Sequence, residues 1–324
     1  MKTVLVTGGA GYIGSHTVHE LVSHGYNVIV LDSLEKGCKD FLPNNVKLFQ
    51  GDIGNIEDLN KVFSSNEIGS IIHFAGYIEA GESMSNPLKY FHNNSANGIN
   101  LIKAMNDNGV KNIIFSSTAA VYGNPKNIPI TEEHETNPVN HYGMSKLILE
   151  KTLEASKVQG INSIFLRYFN AAGAGYNIGE KHNPETHLIP IILEAASGKR
   201  DHIKLFGTDY PTQDGTCIRD YIHVLDLASA HVKALKQLEK GKSGVYNLGT
   251  GRGHSVKEII DICKKISGKN IKVINEKRRE GDPPILVASS LKAQKELNWK
   301  PKYNINDIIS NAWEWHKKEE NIIN

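Results

Sequence analysis

Thr7-Gly8-Gly9-Ala10-Gly11-Tyr12-Ile13-Gly14 is the stretch on which the reading of this chain turns. It sets glycines at positions 8, 11 and 14 between two segments of different texture. Upstream, residues 3–6 are short, apolar and β-branched, and read as a buried strand. Downstream, Ile13, Val18, Leu21 and Val22 recur at helical spacing from Tyr12 to about His24. Gly25 then stands where a C-terminal glycine stops a helix. Val28-Ile29-Val30-Leu31 follows as a second strand ending at Asp32, which closes one β-α-β unit.

A glycine trio alone is weak evidence. A trio that follows a strand, opens a helix and has an acid at the end of the next strand carries a mechanism. The glycines permit a tight turn, close approach of the backbone to a pyrophosphate, and close helix–strand packing. The helix N-terminus supplies free N–H groups and positive potential. Asp32 can accept hydrogen bonds from both ribose hydroxyls and would repel a 2′-phosphate, so NAD is expected rather than NADP. Gly249-Thr250-Gly251-Arg252-Gly253 looks superficially alike but lacks a third glycine at the right spacing and the distal acid, and reads as a turn before a helix capped near Ser255.

The alternation runs on. Residues 46–50, 70–75, 112–116 and 163–167 read as strands; 56–63, 88–108 and 141–158 read as helices. Strands alternating with helices predict an α/β fold, a Rossmann-type doubly wound parallel sheet. After Asn170 the small-residue turn Ala171-Ala172-Gly173-Ala174-Gly175 opens a stretch with no clean period. Residues 1–170 are therefore expected to form the NAD-binding part. Residues 171–324 are expected to form mainly a smaller α/β substrate-binding lobe, interleaved with the first or separate from it.

Tyr-x-x-x-Lys occurs twice, at Tyr122/Lys126 and Tyr142/Lys146. Four-residue spacing puts two side chains on one face only within a helix. Gly123, Asn124 and Pro125 break the first segment, whereas Tyr142 to Lys146 runs into Leu147-Ile148-Leu149-Glu150. A free phenol titrates near ~10, too high for a base at neutral pH. A fixed ammonium and a cationic nicotinamide beside it favour phenolate, and a shift of about three units needs roughly 4 kcal/mol. By itself the pair would be a surface tyrosine and lysine; beside a dinucleotide site it reads as a base and its electrostatic partner. Ser116-Ser117-Thr118 ends the preceding strand, where Thr118 can bond a substrate hydroxyl and relay its proton to Tyr142.

Composition bounds the rest. The 324 residues carry 37 Lys and Arg against 35 Asp and Glu, with no long basic tract, so no nucleic-acid partner is expected. No apolar run approaches the ~18 residues of a membrane span, and no signal-peptide core is visible. Cys38, Cys217 and Cys263 are far apart, which argues against a disulfide framework or a zinc site and for a cytoplasmic setting.

The glycine motif, the Ser-Ser-Thr strand end and Tyr-x-x-x-Lys together resemble the extended short-chain dehydrogenase/reductase family. Seven further stretches resemble its UDP-glucose 4-epimerase members over nearly the whole chain. They are Gly51-Asp52-Ile53, His73-Phe74-Ala75-Gly76, Gly81-Glu82-Ser83, Leu166-Arg167-Tyr168-Phe169-Asn170, Asp209-Tyr210-Pro211-Thr212, Arg219-Asp220-Tyr221-Ile222-His223-Val224 and Arg278-Arg279-Glu280-Gly281-Asp282. The resemblance implies interconversion of UDP-galactose and UDP-glucose through a 4-keto sugar, with one resident NAD and no net redox change. It implies Tyr142 as base, Lys146 as its partner and Thr118 as relay. It places Gly8, Gly11, Tyr12, Ile13, Gly14, Asp32, Asp52, Ile53, Phe74, Ala75, Gly76, Asn93, Ser116, Tyr168 and Phe169 at the cofactor. It places Asn170, His187, Leu188, Leu205, Phe206, Arg219, Arg279, Asp282 and Leu286 at the UDP-sugar. It also suggests a homodimer through the helices at about 88–108 and 142–158, whose outer faces are not apolar enough to argue this alone.

Three positions depart from the family's pattern. Ile78 stands where some relatives carry a lysine near the pyrophosphate, and His187 where some carry a substrate-contacting asparagine. Leu286 gates the N-acetyl pocket and is intermediate between a tyrosine that closes it and a small residue that opens it, which leaves UDP-N-acetylhexosamines open. The related 4,6-dehydratases carry an Asp-Glu pair after the strand-end threonine; Ala119 and Ala120 here cannot serve that elimination. A non-catalytic NAD-sensing protein would be expected to lose Tyr142 or Lys146, and both are present.

Overall fold

The computed structural model of the chain describes residues 3–279 and 282–323. Six strands alternate with helices: β1 (Thr3–Thr7), β2 (Val28–Asp32), β3 (Lys47–Gln50), β4 (Ile68–His73), β5 (Asn112–Thr118) and β6 (Asn162–Tyr168). Strand Gly244–Leu248 completes a seven-stranded sheet in the order Gly244–Leu248, β6, β5, β4, β1, β2, β3. Every pairing is parallel. This is the expected doubly wound α/β arrangement, with its switch point between β1 and β4.

Alternation along the strands feeds two cores. In β1, Val4 and Val6 pack on one face with Val18 and Leu21 of the helix Tyr12–Ser23; Leu5 packs on the other with Leu59, Ile71 and Leu101. All five β1 residues are buried, as a parallel strand covered on both faces requires.

The chain does not leave this sheet at residue 170. Helix Val224–Leu238 packs against Tyr12–Ser23, and Gly244–Leu248 pairs with β6. The remaining elements form the smaller lobe. Ile218–His223 is flanked by Gly253–Ser255, Ile285–Leu286 and Asn170–Ala172, and Ile203–Phe206 pairs with Val273–Glu276. A third core, with Ile192, Ile259, Ile308 and Trp313, holds this lobe together.

Two local readings are refined. The helix expected at 88–108 runs from Pro87 to Asp107 but opens into a π turn over Phe91–Ala96. The Gly249–Gly253 turn does precede a helix, Val256–Ser267, capped by Ser255 Oγ accepting from Glu258 N at 3.1 Å. That turn wraps the buried Asp220 carboxylate, which accepts from Thr250 N and Gly251 N. Among the described residues no helix is long and apolar enough to cross a membrane.

Candidate active site

A cleft of about 1570 Å³ crosses the carboxyl ends of the parallel strands and continues into the smaller lobe. One drug-sized ligand occupies roughly 300–1,000 Å³, so this cleft has room for two ligands placed end to end.

Its floor is the glycine motif. Gly8 has φ +70°, and a Cβ there would stand 2.5 Å from Ala75 N, because β1 and β4 end side by side. A Cβ on Gly14 would stand 2.2 Å from Gly8 O. The helix Tyr12–Ser23 starts at Gly11 with no side-chain cap and no acid in its first turn, which leaves its N–H groups for an anion. The Tyr12 hydroxyl is already committed, donating to Gly173 O at 2.6 Å. Asp32, at the end of β2, accepts from Ala10 N at 2.8 Å and Leu34 N at 2.9 Å. Burial raises its carboxyl pKa and these two bonds lower it, with a net rise. Ala10 N and Leu34 N engage different oxygens, which leaves lone pairs on both for a ribose. This uncapped helix start, Cβ-free cradle and terminal acid fit a dinucleotide. Asp52, Ile53, Phe74, Ala75, Gly76, Ile78 and Asn93 line the same cleft.

Asn140 builds the next part. Its side chain accepts from Gly143 N at 2.8 Å and starts the helix His141–Ala155. Tyr142 lies in the first turn and Lys146 one turn on. Gly143 sits against the turn Ala119–Tyr122, since a Cβ would meet Ala120 O at 2.6 Å. Lys146 is 2% exposed; its Nζ donates to Ser116 O at 3.1 Å and lies 5.0 Å from the centre of the Phe115 ring. Burial lowers the Lys146 pKa to about 8. Burial pushes Tyr142 up to about 12, the Thr118 hydrogen bond acts to lower it, and Glu79 adds to the rise. Thr118 Oγ1 also accepts from Ala120 N at 3.1 Å.

Tyr122 lies elsewhere. Its hydroxyl donates to Asn247 Oδ1 at 2.7 Å and accepts from Arg167, while Lys126 is exposed beside Glu135.

Ser116, Tyr168, Phe169 and Asn170 line the cleft past Tyr142 and Lys146, followed by His187, Leu188, Phe206, Arg219, Arg279, Asp282 and Leu286. Leu205 does not line it. Its side chain is 3% exposed in the lobe's core, because neighbours on a strand face opposite ways and Phe206 takes the cleft side. Arg219 donates to Asp282 Oδ1 at 3.1 Å rather than pairing with Asp220, and the Arg279 guanidinium lies 3.9 Å over the Phe206 ring. Glu280 and Gly281, beside Arg279, lie outside the described residues.

Several groups here were not singled out from sequence, and His187, which was, has a partner that the sequence did not show. Asn94, 2% exposed, accepts from Tyr77 N and donates to Tyr77 O and Ser145 Oγ, tying the segment after β4 to the helix His141–Ala155. Both Asn93 and Asn94 lie in the π turn Phe91–Ala96, and such turns recur at functional sites. Behind Ser116–Thr118, Ser117 donates to Glu150 Oε1 at 2.5 Å, and Glu150 pairs with Arg167 at 2.6 Å. His187 Nδ1 meets Glu185 Oε1 at 2.8 Å; against the lowering effect of burial, Glu185 and Glu180 raise its pKa to about 9. No signal short of the fold joins these positions, except the twice-repeated Glu-x-His at 180–182 and 185–187.

The chain matches the model of the NAD dependent epimerase/dehydratase family over residues 4–249. It is 49% identical over 320 residues to a UDP-glucose 4-epimerase of Halalkalibacterium halodurans, covering 97% of this chain and 96% of that one. Among solved structures it is similar to the UDP-glucose 4-epimerase of Bifidobacterium longum in complex with NAD+ and UDP. The TM-score is 0.95 and identity 40%, over 98% of this chain and 99% of that one. It is also similar to the UDP-Glc/GlcNAc 4-epimerase of Campylobacter jejuni, with TM-score 0.86 and 42% identity, over 98% and 100%.

Proposed function

The chain belongs to the NAD dependent epimerase/dehydratase family, and from that membership and the cleft's geometry we propose that it is a UDP-glucose 4-epimerase, an isomerase that interconverts UDP-galactose and UDP-glucose with resident NAD. The observation that carries this reading is the hydrogen-bonded Tyr142 and Thr118 at the end of β5, with the Lys146 ammonium fixed on Ser116 O, midway between a dinucleotide cradle and a pair of arginines.

NAD, held at the cradle, would supply the uptake and return of hydride at sugar C4. The protein's own groups do the rest. Gly8 and Gly14 would let the backbone come close to the pyrophosphate, and Asp32 would hold the adenosine ribose. Thr118 donates to the Tyr142 oxygen, favouring phenolate, while Lys146 and the first turn of the helix His141–Ala155 add positive potential. Tyr142 takes the proton of the 4-hydroxyl and returns it after the 4-keto sugar has turned its other face. Arg219 and Arg279 offer forked donors to the diphosphate. Asp282 orients Arg219 at 3.1 Å. Asn170, Leu188 and Phe206 bound the uridine side. Leu286 lies at the sugar end of the cleft.

The test is incubation of purified protein with UDP-galactose and no added NAD, with UDP-glucose measured. Absence of conversion by folded, NAD-loaded protein removes the assignment. UDP-N-acetylgalactosamine run alongside tests whether half-buried Leu286 leaves room for the acetamido group. We place the enzyme in the cytosol on its three free cysteines. We also propose a homodimer through Pro87–Asp107 and His141–Ala155. Leu88, Ile99, Met144 and Ile148 are exposed there, Leu88 at 77%. A monomeric mass by light scattering would overturn the dimer.

A further inference from the structure

Between strand Asn170–Ala172 and helix Leu188–Ala196 the chain runs from Gly173 to His187 with no helix or strand, only an isolated bridge between Gly175 and Ile178. Loops of this length without structure of their own are uncommon in compact proteins and ordinarily carry a function. The second half of this one is built twice. In Glu180-Lys181-His182, Glu180 Oε1 accepts from Lys181 N at 2.9 Å and His182 N at 3.1 Å, and contacts His182 Nδ1. In Glu185-Thr186-His187, Glu185 Oε1 accepts from Thr186 N and His187 N, each at 2.7 Å, and from His187 Nδ1 at 2.8 Å.

The two copies face each other. Their imidazole rings are 5.6 Å apart, and one nitrogen from each ring plus one Glu180 oxygen all lie within 4.8 Å of one another. We propose that Glu180, His182 and His187 bind one divalent transition-metal ion of the zinc class, which fastens this wall of the cleft.

The donor set is of the right chemistry. Two imidazoles and a carboxylate suit zinc, whose bonds of ~2.0–2.1 Å put tetrahedral ligands about 3.3 Å apart. The donor atoms, all within 4.8 Å of one another, would settle to that spacing around the ion. Glu185 is 8% exposed and holds His187 Nδ1–H, which leaves Nε2 as the ligating nitrogen; metal-bound histidines have such an outer carboxylate as a rule. The anchorage is firm on one side: Trp315 Nε1 donates to Glu180 O at 3.4 Å, and Trp315 packs so closely on Gly179 that a Cβ there would lie 2.2 Å from it. Three protein donors leave a fourth position for water. His187 immediately precedes the helix Leu188–Ala196 and makes no side-chain capping bond to it, so its ring is not spent on capping. His187 then belongs to the wall, not to the substrate's own donors.

Sequence reading by cysteines could not see this site, since it contains none. The proposal stands apart from the epimerase assignment, and its readout is metal, not turnover. Full-length, NAD-loaded, tag-free protein is stripped with EDTA and titrated with Co2+, followed by its visible d–d absorption, and then with Zn2+. Expected are one Co2+ per chain with the intense bands of a tetrahedral site, bleaching by one equivalent of Zn2+, and a loss of affinity of about 10- to 100-fold in Glu185→Gln. His182→Ala and His187→Ala should abolish the bands while retaining NAD. Absence of tetrahedral bands in the wild-type protein overturns the proposal, whatever the variants do. Unchanged cobalt binding in NAD-retaining His182→Ala or His187→Ala also overturns it. Should an alanine variant fold poorly, the wild-type spectrum and Glu185→Gln decide.

Discussion

Thr118→Val removes a single oxygen and tests the proton path directly. In the structure the Thr118 hydroxyl does two things: it hydrogen-bonds Tyr142, and it accepts from Ala120 N at 3.1 Å to cap the turn Ala119–Tyr122. Burial pushes Tyr142 up to about 12, and the Thr118 bond acts to lower it. A hydrogen bond to a charged group contributes about 1.5–3 kcal/mol. At about 1.4 kcal/mol per tenfold, its loss makes phenolate roughly 10- to 150-fold scarcer, and kcat near pH 7 should fall by that factor. Loss of the cap should cost about 1 kcal/mol and a few degrees of Tm. Thr118→Ser keeps the oxygen and should restore both. The assay is UDP-galactose turnover coupled to UDP-glucose oxidation, with bound NAD quantified in each variant. Wild-type turnover in Thr118→Val refutes the relay. So does Thr118→Ser as slow as valine, which would assign the loss to packing.

Gly14→Ala should yield protein without bound NAD or no folded protein, since the new Cβ would lie 2.2 Å from Gly8 O; a normal nucleotide content after acid extraction would contradict this. Glu150→Gln breaks a buried pair, Arg167 being 5% exposed, and should lower stability in urea by about 3–5 kcal/mol, with much of the loss recovered when both residues become apolar. Burial holds His73 down at about 3 and His16, His223 and His231 at about 4. The folded state therefore binds fewer protons than the unfolded one between pH 6.5 and 4, so stability should fall as pH drops through that window. Burial raises Asp226 to about 6 and also raises Asp32, Glu132 and Asp220, which opposes this in part. A Tm flat from pH 7 to 4.5 would show that these rings are not buried neutral.

What could be read from sequence was what the chain encodes locally. The strand–glycine–helix start, the Gly25 stop and the Ser255 cap depend on neighbours a few residues away, and the structure keeps them. Tyr142 was separable from Tyr122 because Gly123 and Pro125 break a helix in any context. What could not be read depends on distant partners. Nothing within Gly244–Leu248 says that it pairs with β6 rather than with its neighbours in the smaller lobe. The π turn at Phe91–Ala96 has no propensity signature, and its bridge from Asn94 to Ser145 spans two helices. Leu205 failed because one residue of register decides which face of a strand meets the cleft. Glu150 and Arg167 looked like an ordinary helix acid and strand base until the fold put them face to face.

The closing of the large sheet by Gly244–Leu248 has a consequence for how the protein is made. Until that strand emerges from the ribosome, β6 presents a bare edge of unpaired N–H and C=O groups, along a strand rich in Ile164, Phe165 and Leu166. Helix Val224–Leu238, which covers Tyr12–Ser23, arrives just before it. A nascent chain halted near residue 170 therefore holds every glycine of the cradle but leaves helix Tyr12–Ser23 without its cover, and its bare β6 edge is a template for aggregation.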